Sequence, residues 1–170
     1  IGKFFNSSAW DAWFDSYWAM LARYAHLAAR EHVEMLSMNC ELITANNQSG
    51  RWRQLVRKTR AAFPGLLTTS PKGHGHEYWV DWWDALDVIG VDLYDQISGA
   101  TVAEMVTSWQ PYLSRLDELH KRYSKPLVFT EIGYCSGACD RSHNASVVET
   151  QHPATHYEAL LVASAGRDWI

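Results

Sequence analysis

Cysteine is scarce: Cys40, Cys135 and Cys139 are the only three in 170 residues, with no CxxC pair and no Cys/His spacing suited to structural zinc. So few thiols, and an odd number of them, leave the redox compartment open. Positive charge is also short, since 15 Lys and Arg against 19 Asp and Glu give a net charge of −4. The basic residues are scattered, so neither nucleic acid nor a membrane is expected as a partner. No apolar run approaches the roughly 18 residues of a membrane span, and no charged-then-apolar leader opens the chain. A glycine-rich phosphate loop after a strand is missing too, Gly73 and Gly75 being too sparse, which removes an open-sheet nucleotide-binding domain. No linker, low-complexity tract or long repeat divides the chain, so one domain over residues 1–170 is expected. The chain starts at Ile1 rather than Met, and is expected to be processed, excised or incomplete.

Aromatic residues are plentiful: nine Trp, eight Tyr and five Phe, fitting either a dense core or a cleft lined with flat stacking surfaces. Trp10, Trp13, Phe14, Tyr17, Trp18, Leu21, Tyr24, Ala25 and Ala28 recur mostly at steps of three and four, which predicts a helix over 9–31. A short apolar stretch (33–42) follows, then a helix over 51–63 stopped by Pro64-Gly65, and a strand over 65–70. The segment 77–86 reads as an aromatic helix and 87–94 as a buried strand. A long helix over 101–123 with a bend at Pro111, a strand over 125–134 and a helix over 152–166 complete the pattern. Alternation of this kind implies parallel strands joined by right-handed crossovers.

In parallel α/β folds the working residues gather at the carboxyl ends of strands. Those ends carry Asn39 and Glu41, Thr69 and Ser70, Asp92 and Tyr94, and Glu131 and Tyr134. Two glutamates closing apolar strands fit the acid and nucleophile of glycoside hydrolysis, in which one carboxylic acid protonates the leaving oxygen while the other attacks or activates water. The same pattern also fits two buried ion-pair partners.

Several ordered motifs carry a resemblance: WxxWFxxYxxMLxxYAxLA (10–28), NCEL (39–42), WRQLVRKTR (52–60), WWDALDVIGVDLY (82–94) and LVFTEIGYCS (127–136). Together they resemble glycoside hydrolase family 113, the mannanase-like branch of the retaining clan built on (β/α)8 TIM barrels. The resemblance implies an α/β fold of which this chain is an incomplete part, about four parallel strands with their helices, mapping to the fourth through seventh of the barrel. It also implies a retaining glycoside hydrolase acting on β-1,4-linked polysaccharide, most like an endo-β-1,4-mannanase. Glu41 would be its acid/base and Glu131 its nucleophile; they stand 90 positions apart (131 − 41 = 90), which suits three βα units. Tyr94 is placed to hydrogen-bond and orient Glu131, a barrel-capping structural role being the alternative. Much of the wider clan has asparagine directly before the acid/base; here Cys40 stands between Asn39 and Glu41, a departure at the usual contact to the sugar 2-hydroxyl.

Asn39, His76, Trp79 and Tyr134 are candidate substrate contacts, with Trp79 a sugar platform and Trp83 assigned to the core. His74, His76 and Glu77 spell H-x-H-E, yet a retaining glycosidase needs no metal, and neither metal nor cofactor is expected. Asn6, Asn47 and Asn144 stand in N-x-S sequons in stretches that read as loops, which suggests a secreted glycoprotein. On that route Cys135 and Cys139 could close a local disulfide; two free thiols are the other reading. The expected partner is a polysaccharide or oligosaccharide, and the completed protein is expected to be a monomer. A barrel of this type needs about 250 residues, so the isolated piece is expected to be inactive and marginally stable, with unpaired strand edges. The rival reading is a carbohydrate-binding protein on a degenerate or truncated barrel, encouraged by Cys40 and the aromatic loops.

Overall fold

The computed structural model describes residues 6–73, 75–94, 97–134 and 151–170; His74, Cys135, Cys139 and Asn144 lie outside them. Helix α1 (Ser7–Arg30) starts where Asn6 caps it, its side-chain oxygen accepting from Ala9 N at 2.8 Å. Asn6 therefore stands at a helix start, with the sequon's Ser8 already inside the helix. The buried face is Trp10, Phe14, Leu21, Ala25 and Ala28, the stripe that helical spacing foretells.

Strand β1 (Met35–Cys40) leads through a 3-10 turn (Ile43–Ala45) to helix α2 (Ser49–Ala62), then strand β2 (Leu66–Ser70). Strand β3 (Ile89–Leu93), helix α3 (Val102–Tyr123), strand β4 (Leu127–Ile132) and helix α4 (Gln151–Ser164) follow. A complete capping box from Thr101 and Glu104 fixes the start of α3, and the helix runs on through Pro111.

β1 pairs with β2 and β3 with β4, both in parallel. The two ladders meet edge to edge between β2 and β3. Thr68 Oγ1 donates to Val88 O at 2.9 Å, Asp87 N to Leu67 O at 3.0 Å, and Lys72 forms an isolated parallel bridge with Asp92. Gly90 permits this approach, since a Cβ there would stand 2.1 Å from Thr69 O. The strands thus follow one another in sequence order. β3 is buried along its whole length, as strands covered on both faces are.

One expected element differs. Residues 77–86 form two 3-10 turns (His76–Trp79 and Trp83–Ala85), not an α-helix. Their adjacent indoles are both fully buried but against different partners: Trp82 stacks on Trp52 (5.1 Å, 12°), and Trp83 Nε1 donates to Glu77 O at 2.9 Å. One short helix face would not serve both. Side chains from α2 pin the segment: Arg53 grips both oxygens of Asp84 at 2.7 Å, and Arg60 reaches Asp87 at 2.7 Å.

An aromatic column backs the strands. Phe14 meets Trp52 edge-on at 5.0 Å, and Trp13 stacks on Tyr17 at 5.0 Å. Buried indoles in this column find carbonyl partners, Trp52 Nε1 to Ala45 O at 2.8 Å and Trp82 Nε1 to Asn46 O at 3.3 Å. Tyr17 reaches from α1 to Met38 O at 2.7 Å, tying the helix to the strand that ends in Cys40 and Glu41.

Candidate active site

Both ladders lose regular register just before their carboxyl ends, between Ser37 and Cys40 in β1 and between Val91 and Asp92 in β3. Irregularities of this kind re-aim side chains next to active sites. In β3 and β4 the shift brings Asp92 opposite Glu131. At the end of β1 the chain turns sharply: Glu41 adopts φ 50°, a left-handed conformation that is strained for a residue with a side chain. Its amide donates to Ser70 O at 2.7 Å, so the strained residue is held against the end of β2.

Glu131 is contacted at both carboxylate oxygens. Tyr94 OH donates to Oε2 at 2.8 Å, and Cys40 Sγ lies 3.3 Å from Oε1. Behind Cys40 is Asp92, fully buried, its Oδ2 3.9 Å from the sulfur and its Oδ1 accepting from Thr130 Oγ1 at 2.6 Å. Three strand ends therefore feed one chain of groups, Thr130, Asp92, Cys40, Glu131 and Tyr94. Among the described residues no Lys or Arg forms an ion pair with Asp92, Glu41 or Glu131.

The clustered negative charge shows in the neighbouring groups. Burial pushes Asp92 up to about 6, and the charges of Glu131 and Glu41 add to it against the hydrogen bond from Thr130. The Cys40 thiol is pushed up to about 12 by desolvation of the sulfur, by its hydrogen bond to Glu131, and by the charges of Glu131, Asp92 and Glu41. The Tyr94 phenol also rises to about 12, chiefly because Glu131 accepts its proton. Both donors to Glu131 thus keep their hydrogens at neutral pH. Glu41 enters each of these shifts as a nearby charge, which places its carboxylate in the same electrostatic neighbourhood as Glu131.

Asn39 is buried, with neither amide atom hydrogen-bonded among the described residues. A buried amide of this kind beside a candidate acid calls for an explanation. Trp79 is 59% exposed, its ring 4.1 Å from that of His76, in the loop that follows β2. Trp83 is fully buried core. Glu77 is buried and accepts from Gly75 N at 3.1 Å. Beyond Ile132 the chain leaves the strand, and the Tyr134 ring stacks on His156 of α4 at 4.4 Å, its hydroxyl buried.

Cys40, Asp92 and Glu131 bring ligand-type atoms within 4.8 Å of one another, close enough for a metal ion. The sulfur contacts both carboxylates, Glu131 at 3.3 Å and Asp92 at 3.9 Å. Two members of that cluster escape sequence reasoning as functional groups. Asp92 shows only as an acid at a strand end, and Cys40 only as an interruption of the asparagine–glutamate pair.

Parallel strands in sequence order, with carboxylates converging at their carboxyl ends, fit part of a (β/α)8 barrel. The solved structures similar to the chain agree: a Ruminococcus gnavus β-glucuronidase, at 14% identity, shares the fold alone, with a TM-score of 0.72 over 98% of this chain and 30% of that one. The model of Glycoside Hydrolase Family 113 matches residues 3–170, and the chain belongs to that family. A GH113 β-1,4-mannanase solved as a complex is 27% identical, with a TM-score of 0.84 over 100% of this chain and 55% of that one. The GH113 β-mannanase AaManA from Alicyclobacillus acidocaldarius, solved with ManMIm, is 32% identical, with a TM-score of 0.80 over 94% of this chain and 50% of that one. The chain thus spans about half the length of these two mannanases. No curated protein sequence matches it.

Proposed function

We propose that the protein to which this chain belongs is a retaining endo-β-1,4-mannanase, with Glu41 as acid/base and Glu131 as nucleophile. The observation that carries the reading is the grip on Glu131: one carboxylate oxygen meets Tyr94 OH at 2.8 Å and the other meets the Cys40 thiol at 3.3 Å. A nucleophile must be ionised, oriented and held, and two protonated donors on one carboxylate do that.

In the first step a Glu131 oxygen forms a bond to the anomeric carbon as the glycosidic C–O bond breaks, and the Glu41 proton passes to the departing oxygen. In the second, Glu41 takes a proton from water, the water oxygen bonds to the anomeric carbon, and Glu131 leaves as carboxylate. Asn39, two residues before Glu41, is kept as a candidate sugar contact, its amide buried and unpartnered among the described residues. The exposed ring of Trp79, backed by His76, offers a stacking face for a pyranose. Mannan as substrate rests on family membership and on the solved relatives named as mannanases.

The reading assigns turnover to the protein with a closed barrel and none to these 170 residues alone. It also keeps export with glycosylation at Asn6, Asn47 or Asn144, tested by intact mass before and after glycosidase treatment of material from a eukaryotic host.

The test is reducing-end release from β-1,4-mannan, glucan and xylan by the full-length protein, with Glu131→Gln as control. Mannan cleavage lost in Glu131→Gln is the expected outcome. Cleavage of none of the three polymers, with oligosaccharide binding retained, would replace this reading with that of a carbohydrate-binding protein.

A further inference from the structure

We propose that Cys40, backed by the buried Asp92, is a positioning residue for Glu131: its thiol donates to Oε1 and fixes the carboxylate plane for attack. The inference rests on Glu131 being the nucleophile and adds a second donor to the one Tyr94 provides.

Geometry carries the argument. A carboxylate held at one oxygen alone can rotate about its terminal torsion, which is broad and soft. Tyr94 fixes Oε2 from the end of β3, at 2.8 Å. Cys40 approaches Oε1 from the end of β1, at 3.3 Å, within the range for a sulfur donor. With both contacts made, rotation of Glu131 breaks one or the other. The thiol has one hydrogen and two carboxylate neighbours, and the nearer is Glu131, Asp92 standing at 3.9 Å. Asp92 is itself immobile, being fully buried, anchored by Thr130 at 2.6 Å and paired in register with Glu131. It therefore forms a fixed wall behind the sulfur. The β1 irregularity between Ser37 and Cys40, together with the left-handed Glu41 that follows, sets Cys40 in this place. Local desolvation of the sulfur, the hydrogen bond to Glu131 and the surrounding acids keep the thiol protonated although Cys40 as a residue is exposed, so it remains a donor at neutral pH.

A thiol that positions the nucleophile differs in its effects from one that packs or touches sugar. In the full-length protein, Cys40→Ala should lower kcat by about tenfold with KM nearly unchanged, the size of one modest hydrogen bond to a charged group. Cys40→Ser restores a donor and should return kcat to within about threefold of the parent. Independently, the S–H stretching band of Cys40, identified by its loss in Cys40→Ser, should shift when Glu131→Gln removes the charged acceptor. That measurement needs no turnover. The proposal is overturned if Cys40→Ala keeps the parent kcat while Glu131→Gln is inactive. It is equally overturned if Cys40→Ala raises KM and leaves kcat alone, which would make the thiol a sugar contact, or if the S–H band is indifferent to Glu131→Gln. Full activity in Glu131→Gln would instead remove the nucleophile assignment, and this inference with it.

Discussion

Gly133 makes room for Tyr94: a Cβ at position 133 would stand 2.6 Å from Cε1 of the Tyr94 ring. The ring is half-exposed, so it can move aside if crowded, but its hydroxyl would then leave Glu131, which it meets at 2.8 Å. The glycine of the T-E-I-G-Y motif thus has a function two residues from the glutamate it serves.

Gly133→Ala should accordingly behave as Tyr94→Phe does. We expect kcat of the full-length enzyme to fall by about tenfold in either variant, and the double variant to be little worse than the singles, because both remove one hydrogen bond. Thermal unfolding should change little in comparison, since the displaced ring is half-exposed. Steady-state kinetics of the four proteins checks this.

Cys40 should be a poor nucleophile despite being exposed. With its thiol raised from 9.0 to about 12, the thiolate fraction at neutral pH is about a thousandfold below that of an ordinary cysteine. Iodoacetamide should therefore label Cys40 slowly in the parent and faster in Glu131→Gln, where an acceptor charge is gone. Peptide mapping of a timed alkylation reads both rates.

Asp92 should leave a mark on stability against pH. Its folded value is raised from 3.8 to about 6, so between these values the folded state binds more protons than the unfolded one. Asp92 is then best tolerated below about 4, and the fold loses stability as pH rises through about 6. Relative to the parent, Asp92→Asn should gain stability as pH rises from 4 to 7, a comparison that denaturant unfolding of the full-length protein at several pH values provides.

Trp79 should act on long substrates. With its ring 59% exposed, Trp79→Ala should cost little stability and raise KM for polymeric mannan by about three- to tenfold, the worth of one aromatic stack. The kcat should hold. Kinetics on mannan alongside a short manno-oligosaccharide separates the two effects.

Much of this architecture is legible in the sequence because burial writes itself into residue spacing. The stripe from Trp10 to Ala28 and the apolar runs ending at Cys40, Ser70, Leu93 and Ile132 are local patterns. The segment 77–86 is not so readable, since its indoles follow the demands of Trp52 and the Glu77 carbonyl rather than a helical period. Glu41, Tyr94 and Glu131 stand out as polar residues closing apolar strands, and motif resemblance supplies their expected roles. Cys40 and Asp92 gain theirs only in three dimensions: the thiol meets a carboxylate 91 positions away, and the aspartate is buried in a strand whose neighbours alone define its environment.

The most direct test of the central claim is to trap the covalent intermediate on the full-length protein with a 2-fluoro mannosyl inactivator and map the labelled peptide. The account predicts one sugar per active site, attached to Glu131 in the peptide that carries Thr130 and Gly133. A label on another residue, or an active enzyme that forms no adduct and inverts the anomeric centre, would contradict it.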